Sequence, residues 1–184
     1  ILYYISDALN VVHSRGYVHL DVKPSNVLFV KPYSSPEDLH ADVTRYLVVK
    51  LGDLGASVRV GQRTSLLSPE YSPPDEIEYM VENKGARPLM DVFSLGITFL
   101  KMLDPKIQRP DIQYMATAVR NLRGDKGYVM QLVSYSSSLL RDWDPPVLKA
   151  LEPEMRELVL KMINPSLFSR PTVREVRDTV AKYI

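Results

Sequence analysis

The stretch from residue 92 to 103 constrains the fold most. Val92, Leu95, Phe99 and Met102 recur at helical spacing along one face, while Phe93, Ile97 and Leu100 fill the others. A helix that is apolar around most of its circumference has to be wrapped by other elements on nearly every side. It is too short to cross a bilayer, which takes roughly 20 apolar residues. Ser94, Thr98 and Lys101 also interrupt it. No other apolar run comes closer, so no membrane span is expected, and the chain reads as a soluble domain built around one buried central helix.

The remaining periodicity supplies the wrapping. Leu2, Ile5, Leu9 and Val12 place an amphipathic helix over residues 2–14, ended by Gly16. Residues 27–30 and 47–51 are short, apolar and β-prone. The polar stretch 31–45 between them holds Pro32 and Pro36 and reads as a surface loop. Residues 53–75 contain Gly55, Gly61, Pro69, Pro73 and Pro74 with no sustained period. Long connections of this kind in compact domains are usually functional. Further helices are expected near 111–121, 128–141, 153–163 and 172–182, with Pro153 opening one and Thr172 capping another. The expected fold is mainly α, α+β overall, with two to four short strands near the start. A doubly wound sheet would alternate strand and helix throughout.

Composition narrows the function. Twenty-three basic and 22 acidic residues leave a net charge of +1, which argues against a nucleic-acid partner. The 45% hydrophobic and 24% charged content is that of a globular domain, not a disordered tail. The absence of cysteine excludes disulfides, thiolate metal sites and thiol nucleophiles. His13, His19 and His40 are too few for most metal clusters, and His13 reads as a helix-end residue near the C-terminal dipole. Ile1 falls inside a helical period and no targeting segment is visible, so a longer parent product is expected. The cytoplasm is the default compartment, with secretion left open.

Several short stretches carry chemistry. Residues 19–26, His-Leu-Asp-Val-Lys-Pro-Ser-Asn, resemble the catalytic loop H-R-D-x-x-x-x-N of protein kinases. Asp53-Leu54-Gly55 is similar to the kinase D-F-G motif. Residues 68–75 resemble the end of an activation segment, T-P-E-Y-x-A-P-E. Residues 91–96 are similar to D-x-W-S-L-G, and Arg170-Pro171-Thr172 to the R-P-T near the kinase C-terminus. Their order and coverage resemble the large, helical C-terminal lobe of a Ser/Thr-type protein kinase, with a catalytic loop at 19–26, an insert at 31–45 and an activation segment at 53–75.

The resemblance implies roles. Asp21 would accept the proton of the substrate hydroxyl, and Lys23 would neutralise charge on the transferring phosphate. Asn26 and Asp53 would hold Mg²⁺ for ATP through hard oxygen ligands, over a nucleotide-pocket floor at Leu28. Ser68 would bond to Asp21 and Lys23, or be a plain loop serine, and Tyr71 would belong to the substrate-facing segment. His19 and Leu54 would join an apolar stack aligning two lobes, with Gly55 following in the motif. Asp91 would bond to the catalytic-loop backbone, and Arg170 would pair with Asp75, or with Glu76 after a one-residue shift.

Departures set further expectations. Leucine at 20 cannot read a phosphate on the activation segment, so activity should not depend on phosphorylation of Thr64, Ser65 or Ser68 by that route. Tyr33, Ser34, Ser35 and Pro36 form either a modification or docking loop or, more simply, a tolerated surface insertion. No G-x-G-x-x-G loop and no strand lysine is present, so the N-terminal small lobe is expected ahead of Ile1. Alone, this chain should bind ATP poorly and phosphorylate nothing. The parent is read as an enzyme that phosphorylates Ser or Thr of protein substrates, the alternative being a pseudokinase scaffold or allosteric regulator without turnover.

Overall fold

A computed structural model describes residues 1–43, 49–64 and 66–184. The chain opens with helix α1 (Leu2–Ser14), then β1 (Tyr17–Val18), a 3-10 turn (Pro24–Asn26) and β2 (Val27–Phe29). Helix α2 (Pro36–Val43), β3 (Val49–Leu51) and β4 (Val58–Arg59) follow. The rest is helical: α3 (Pro74–Val81), α4 (Pro88–Leu103), α5 (Ile112–Arg120), α6 (Lys126–Arg141), α7 (Pro153–Met162) and α8 (Val173–Val180). Two antiparallel ladders frame the segment between α1 and α3: Val18 faces Val58, and Leu28 faces Lys50. The architecture is mainly helical with few short strands. No helix among the described residues is long and apolar enough to cross a membrane.

Helix α4 is the buried axis. Val92 and Leu95 pack with Leu2, Ile5 and Leu9 of α1, Met162 of α7 and Val176 of α8. Phe93, Ile97 and Leu100 pack on another side with Leu140, Leu148, Val159 and Ile163. Each such side chain contributes about 1.5–3 kcal/mol when fully buried. Gly96 allows the close approach of α7: a Cβ there would lie 2.7 Å from Ile163 Cγ2 and 3.1 Å from Met162 Cβ. A separate cluster of Ile77, Met115, Ala118, Val129 and Val133 joins α3, α5 and α6.

Stretch 31–45 departs from the loop expected of it. Its centre is helix α2, whose Pro36 opens the first turn ahead of Glu37 and Asp38. Ser35 Oγ accepts from the Asp38 amide at 3.2 Å, a hydroxyl cap at the helix start. The helix carries little apolar periodicity, with Leu39 packing against the α1 cluster, which is why pattern alone passes over it. Tyr33 donates its hydroxyl to Asp42 at 3.3 Å, and Lys31 pairs with the same carboxylate at 2.6 Å. Residues 44 and 45 of the insert, 47 and 48 of the expected strand, and Ser65 lie outside the described residues. Helix α3 likewise begins inside the connection 53–75, where two prolines mask the start of an α-helical run.

Candidate active site

The site is built from α4 upward. Asp91, fully buried in the first turn of α4, accepts from the backbone amides of His19 and Leu20, each at 2.7 Å. His13 Nε2 donates to the same carboxylate at 2.8 Å. Thr98 Oγ1 donates to Val22 O at 3.1 Å. One helix therefore pins residues 19–22 at several points. These bonds hold a conformation that the chain would not choose unaided, since Leu20 has φ of 64°. The left-handed region costs a non-glycine residue roughly 1–2 kcal/mol. The buried His19 ring completes the frame: Nε2 donates to Gly52 O at 3.1 Å, and Nδ1 accepts from the Asp21 amide at 3.3 Å.

This frame presents Asp21 with its carboxylate engaged by cationic and neutral donors. Ser68 Oγ donates to Oδ1 at 2.9 Å, Asn26 Nδ2 to Oδ2 at 2.9 Å, and Lys23 Nζ lies 2.8 Å from Oδ2. Partial burial works to raise the carboxyl, but the bonds from Lys23, Ser68 and Asn26 outweigh it and hold Asp21 below the usual carboxylate range. It is ionised at neutral pH. Asn26 Nδ2 also donates to Asp21 O at 2.8 Å, so the amide nitrogen is committed and its oxygen remains for a cation.

Asp53 stands at the end of β3. The Gly52 amide donates to Asn26 O at 2.8 Å, which ties the strand end to the loop that carries Asp21. Asp53 is exposed with φ of 60°, and its Oδ1 accepts from the Gly55 amide at 3.1 Å. A second carboxylate oxygen is left for a ligand. Asn26 and Asp53 thus offer hard oxygens, the donor type Mg²⁺ takes alongside water and phosphate. Leu28, 51% exposed on β2, covers Gly52 so closely that a Cβ there would meet its Cδ1 at 2.8 Å.

Leu54 is not packed in the core with His19. It is 61% exposed and borders a cavity of about 330 Å³ lined by Val12, Arg15, Tyr17 and Ser57. Leu20 points the other way. It is 4% exposed and packs with Val18, Ala86, Met90 and Leu167. The position that carries arginine in the motif is here part of a small apolar core. Thr64 donates its hydroxyl to Leu66 O at 3.1 Å.

The segment after Ser68 is anchored from below. Ser94 Oγ donates to Tyr71 O at 3.1 Å. Arg170 makes a buried two-pronged pair with Asp75 through Nη1 and Nη2, and donates to the carbonyls of Asn164, Pro165 and Leu89. Between the two carboxylates left open by the sequence, Asp75 is therefore the one Arg170 meets. Glu76 is fully buried and neither of its oxygens has a hydrogen-bond partner. Burial pushes its carboxyl well above the usual range.

A protein-family comparison matches residues 1–180 to the protein kinase domain. The chain belongs to the protein kinase family. Among relatives, the serine/threonine-protein kinase ArnS of Sulfolobus acidocaldarius is 36% identical over 158 residues, which cover 84% of this chain and 25% of that protein. Ribosomal protein S6 kinase alpha-6 of Mus musculus is 29% identical over 104 residues, 56% of this chain and 12% of that protein. Wee1-like protein kinase 2 of Ailuropoda melanoleuca is 33% identical over 111 residues, 53% of this chain and 19% of that protein. The chain therefore spans a quarter or less of these relatives.

Two features of this kinase domain escape sequence reading. His13 shares the Asp91 carboxylate, although 78 positions separate them. Only its place on α1, four residues after the buried Leu9, hints that it faces inward. Arg109 is buried against the segment that follows Ser68, and no motif marks it.

Proposed function

We propose that this chain is the large lobe of a Ser/Thr protein kinase that transfers the γ-phosphoryl group of ATP to a Ser or Thr hydroxyl of a protein substrate. The observation that carries the reading is the Asp21 carboxylate held ionised by Lys23, Ser68 and Asn26, with Asp53 tied to the same loop through Gly52. Phosphoryl transfer asks mainly for positioning and charge stabilisation, and these residues supply both. Asp21 orients the acceptor hydroxyl and takes its proton as the new O–P bond forms and the bond to ADP breaks. Lys23, beside the same carboxylate, offers its ammonium to the charge on the moving phosphoryl group. Asn26 and Asp53 would hold Mg²⁺, which when bound neutralises charge on the nucleotide phosphates.

The lysine two residues after the catalytic aspartate, and the serine/threonine kinase among the relatives, favour Ser/Thr as acceptor. The nucleotide clamp belongs to a small lobe that these 184 residues do not supply, so phosphotransfer is a property of the larger protein. The test is a Mg-ATP phosphotransfer assay on the full-length protein beside its Asp53→Ala variant. Mg-dependent transfer should be lost in the variant. Equal transfer by both proteins would overturn the metal role, and no transfer by the wild type would overturn the enzyme.

A further inference from the structure

The backbone of residues 69–72 has every carbonyl occupied by a side chain from the helical core. Arg109 Nη1 donates to Pro69 O at 3.2 Å, to Glu70 O at 3.4 Å and to Ser72 O at 2.7 Å. Ser94 takes the remaining one, Tyr71 O. The rest of the Arg109 guanidinium is equally committed. Nε donates to Asp111 Oδ1 at 3.0 Å and Nη2 to Asp111 Oδ2 at 2.7 Å. Ser136 Oγ, on α6, donates to Asp111 Oδ2 at 2.5 Å. Arg109 and Arg170 both lie against the Phe93 ring, at 4.9 and 5.0 Å from its centroid. Arg109, Asp111 and Ser136 are all buried.

A buried, charged, fully hydrogen-bonded arginine is a costly device for holding a loop. An apolar residue could fill the same space, but it could not fix the direction of three carbonyls. A lysine could not either, because it lacks the planar fork. The held segment follows directly on Ser68, whose hydroxyl meets Asp21. It is also anchored at its far end by Asp75 and Arg170.

We propose that Arg109, oriented by Asp111 and Ser136, is a positioning residue that fixes the backbone of residues 68–72 as the platform on which the protein substrate lies. This deepens the kinase reading above and rests on it for the word substrate.

The experiment reads two quantities in the full-length protein. The first is hydrogen exchange of the Tyr71 and Ser72 amides, which both donate to Ser68 O at 2.8 Å. The second is the KM for a peptide substrate against the KM for ATP. Arg109→Lys keeps a charge beside Asp111 but loses the fork. It should speed exchange at both amides about tenfold and raise the peptide KM about tenfold more than the ATP KM. The double variant Arg109→Met with Asp111→Leu removes the buried pair without leaving a lone charge, so it keeps its fold. It should show the same exchange and the same KM split.

Val133→Ala, in the α3–α5–α6 cluster, serves as a control. Compared at an equal fraction below each melting temperature, it should show neither effect. If both Arg109 variants behave like Val133→Ala, Arg109 is only a core residue and the proposal is overturned. If the wild type transfers no phosphate, the kinase reading fails, and the exchange measurement alone decides whether Arg109 holds the segment.

Discussion

Replacing Glu76 with methionine should stabilise the protein. The side chain is fully buried at the start of α3, and neither oxygen is hydrogen-bonded. Arg170 is already taken by Asp75. Burial raises the Glu76 carboxyl most, and the neighbouring Asp75 and Asp91 charges raise it further. The folded-state pKa therefore lies above the unfolded value of about 4.3. Below that pH, both states hold the proton and Glu76 adds no pH dependence. As pH rises above it, the unfolded chain ionises while the folded chain stays protonated, so stability falls until the folded pKa is passed. An unsatisfied buried polar group costs about 1–3 kcal/mol, and methionine fills similar space with no oxygen to satisfy. For a domain of this size each kcal/mol moves Tm by about 2–4 °C. Glu76→Met should then melt about 2–12 °C higher near neutral pH. Glu76→Gln cannot ionise, so it should flatten the pH dependence while keeping an unsatisfied amide. Thermal melts of the three proteins from about pH 5 to 8, spanning the range above the unfolded pKa, would check this. A Glu76→Met variant less stable than wild type, or parallel pH profiles for all three, would refute the reasoning.

Leu20→Arg should destabilise the chain by more than about 3 kcal/mol, because it loses apolar burial and forces an unpaired cation into the cluster of Val18, Ala86, Met90 and Leu167; urea melts with an unchanged midpoint would show that the site admits arginine. Thr172→Ala should cost about 1 kcal/mol. It removes the hydroxyl half of a reciprocal cap, in which Thr172 Oγ1 accepts from the Glu175 amide at 3.3 Å and donates to the Glu175 carboxylate at 2.7 Å, while the bond from the Thr172 amide to Glu175 at 2.7 Å survives. The bonds from the Thr172 amide and then from its hydroxyl hold the Glu175 carboxyl below its ordinary range. The hydroxyl's share of this stabilisation is present above the unfolded pKa and lost as pH falls through the folded one, so melts in acid should show the gap between wild type and variant narrowing.

What could be read from the sequence followed the strength of its local signals. Helices α1 and α4 were legible because each buries a face at a period that the sequence repeats, and α8 because Pro171 and Thr172 mark its start. Helix α2 was not, because its start is marked only by Ser35, Pro36 and two acids, with no apolar stripe behind them. Asp21, Lys23 and Asn26 sit within one short loop, so their spacing carries their geometry. Arg109 meets carbonyls 37 to 40 positions away, and backbone acceptors have no sequence signature. The two carboxylates at 75 and 76 could not be told apart by sequence either. Which one meets Arg170 depends on how the first turn of α3 faces the core.

The most direct measurement is single-turnover transfer from Mg-ATP to a Ser/Thr peptide by the full-length protein, wild type against Asp21→Asn. If Asp21 orients the hydroxyl and takes its proton, the transfer rate should fall about 10²–10⁴-fold, with a melting temperature close to that of the wild type. Equal rates in the two proteins would contradict the assignment of the site.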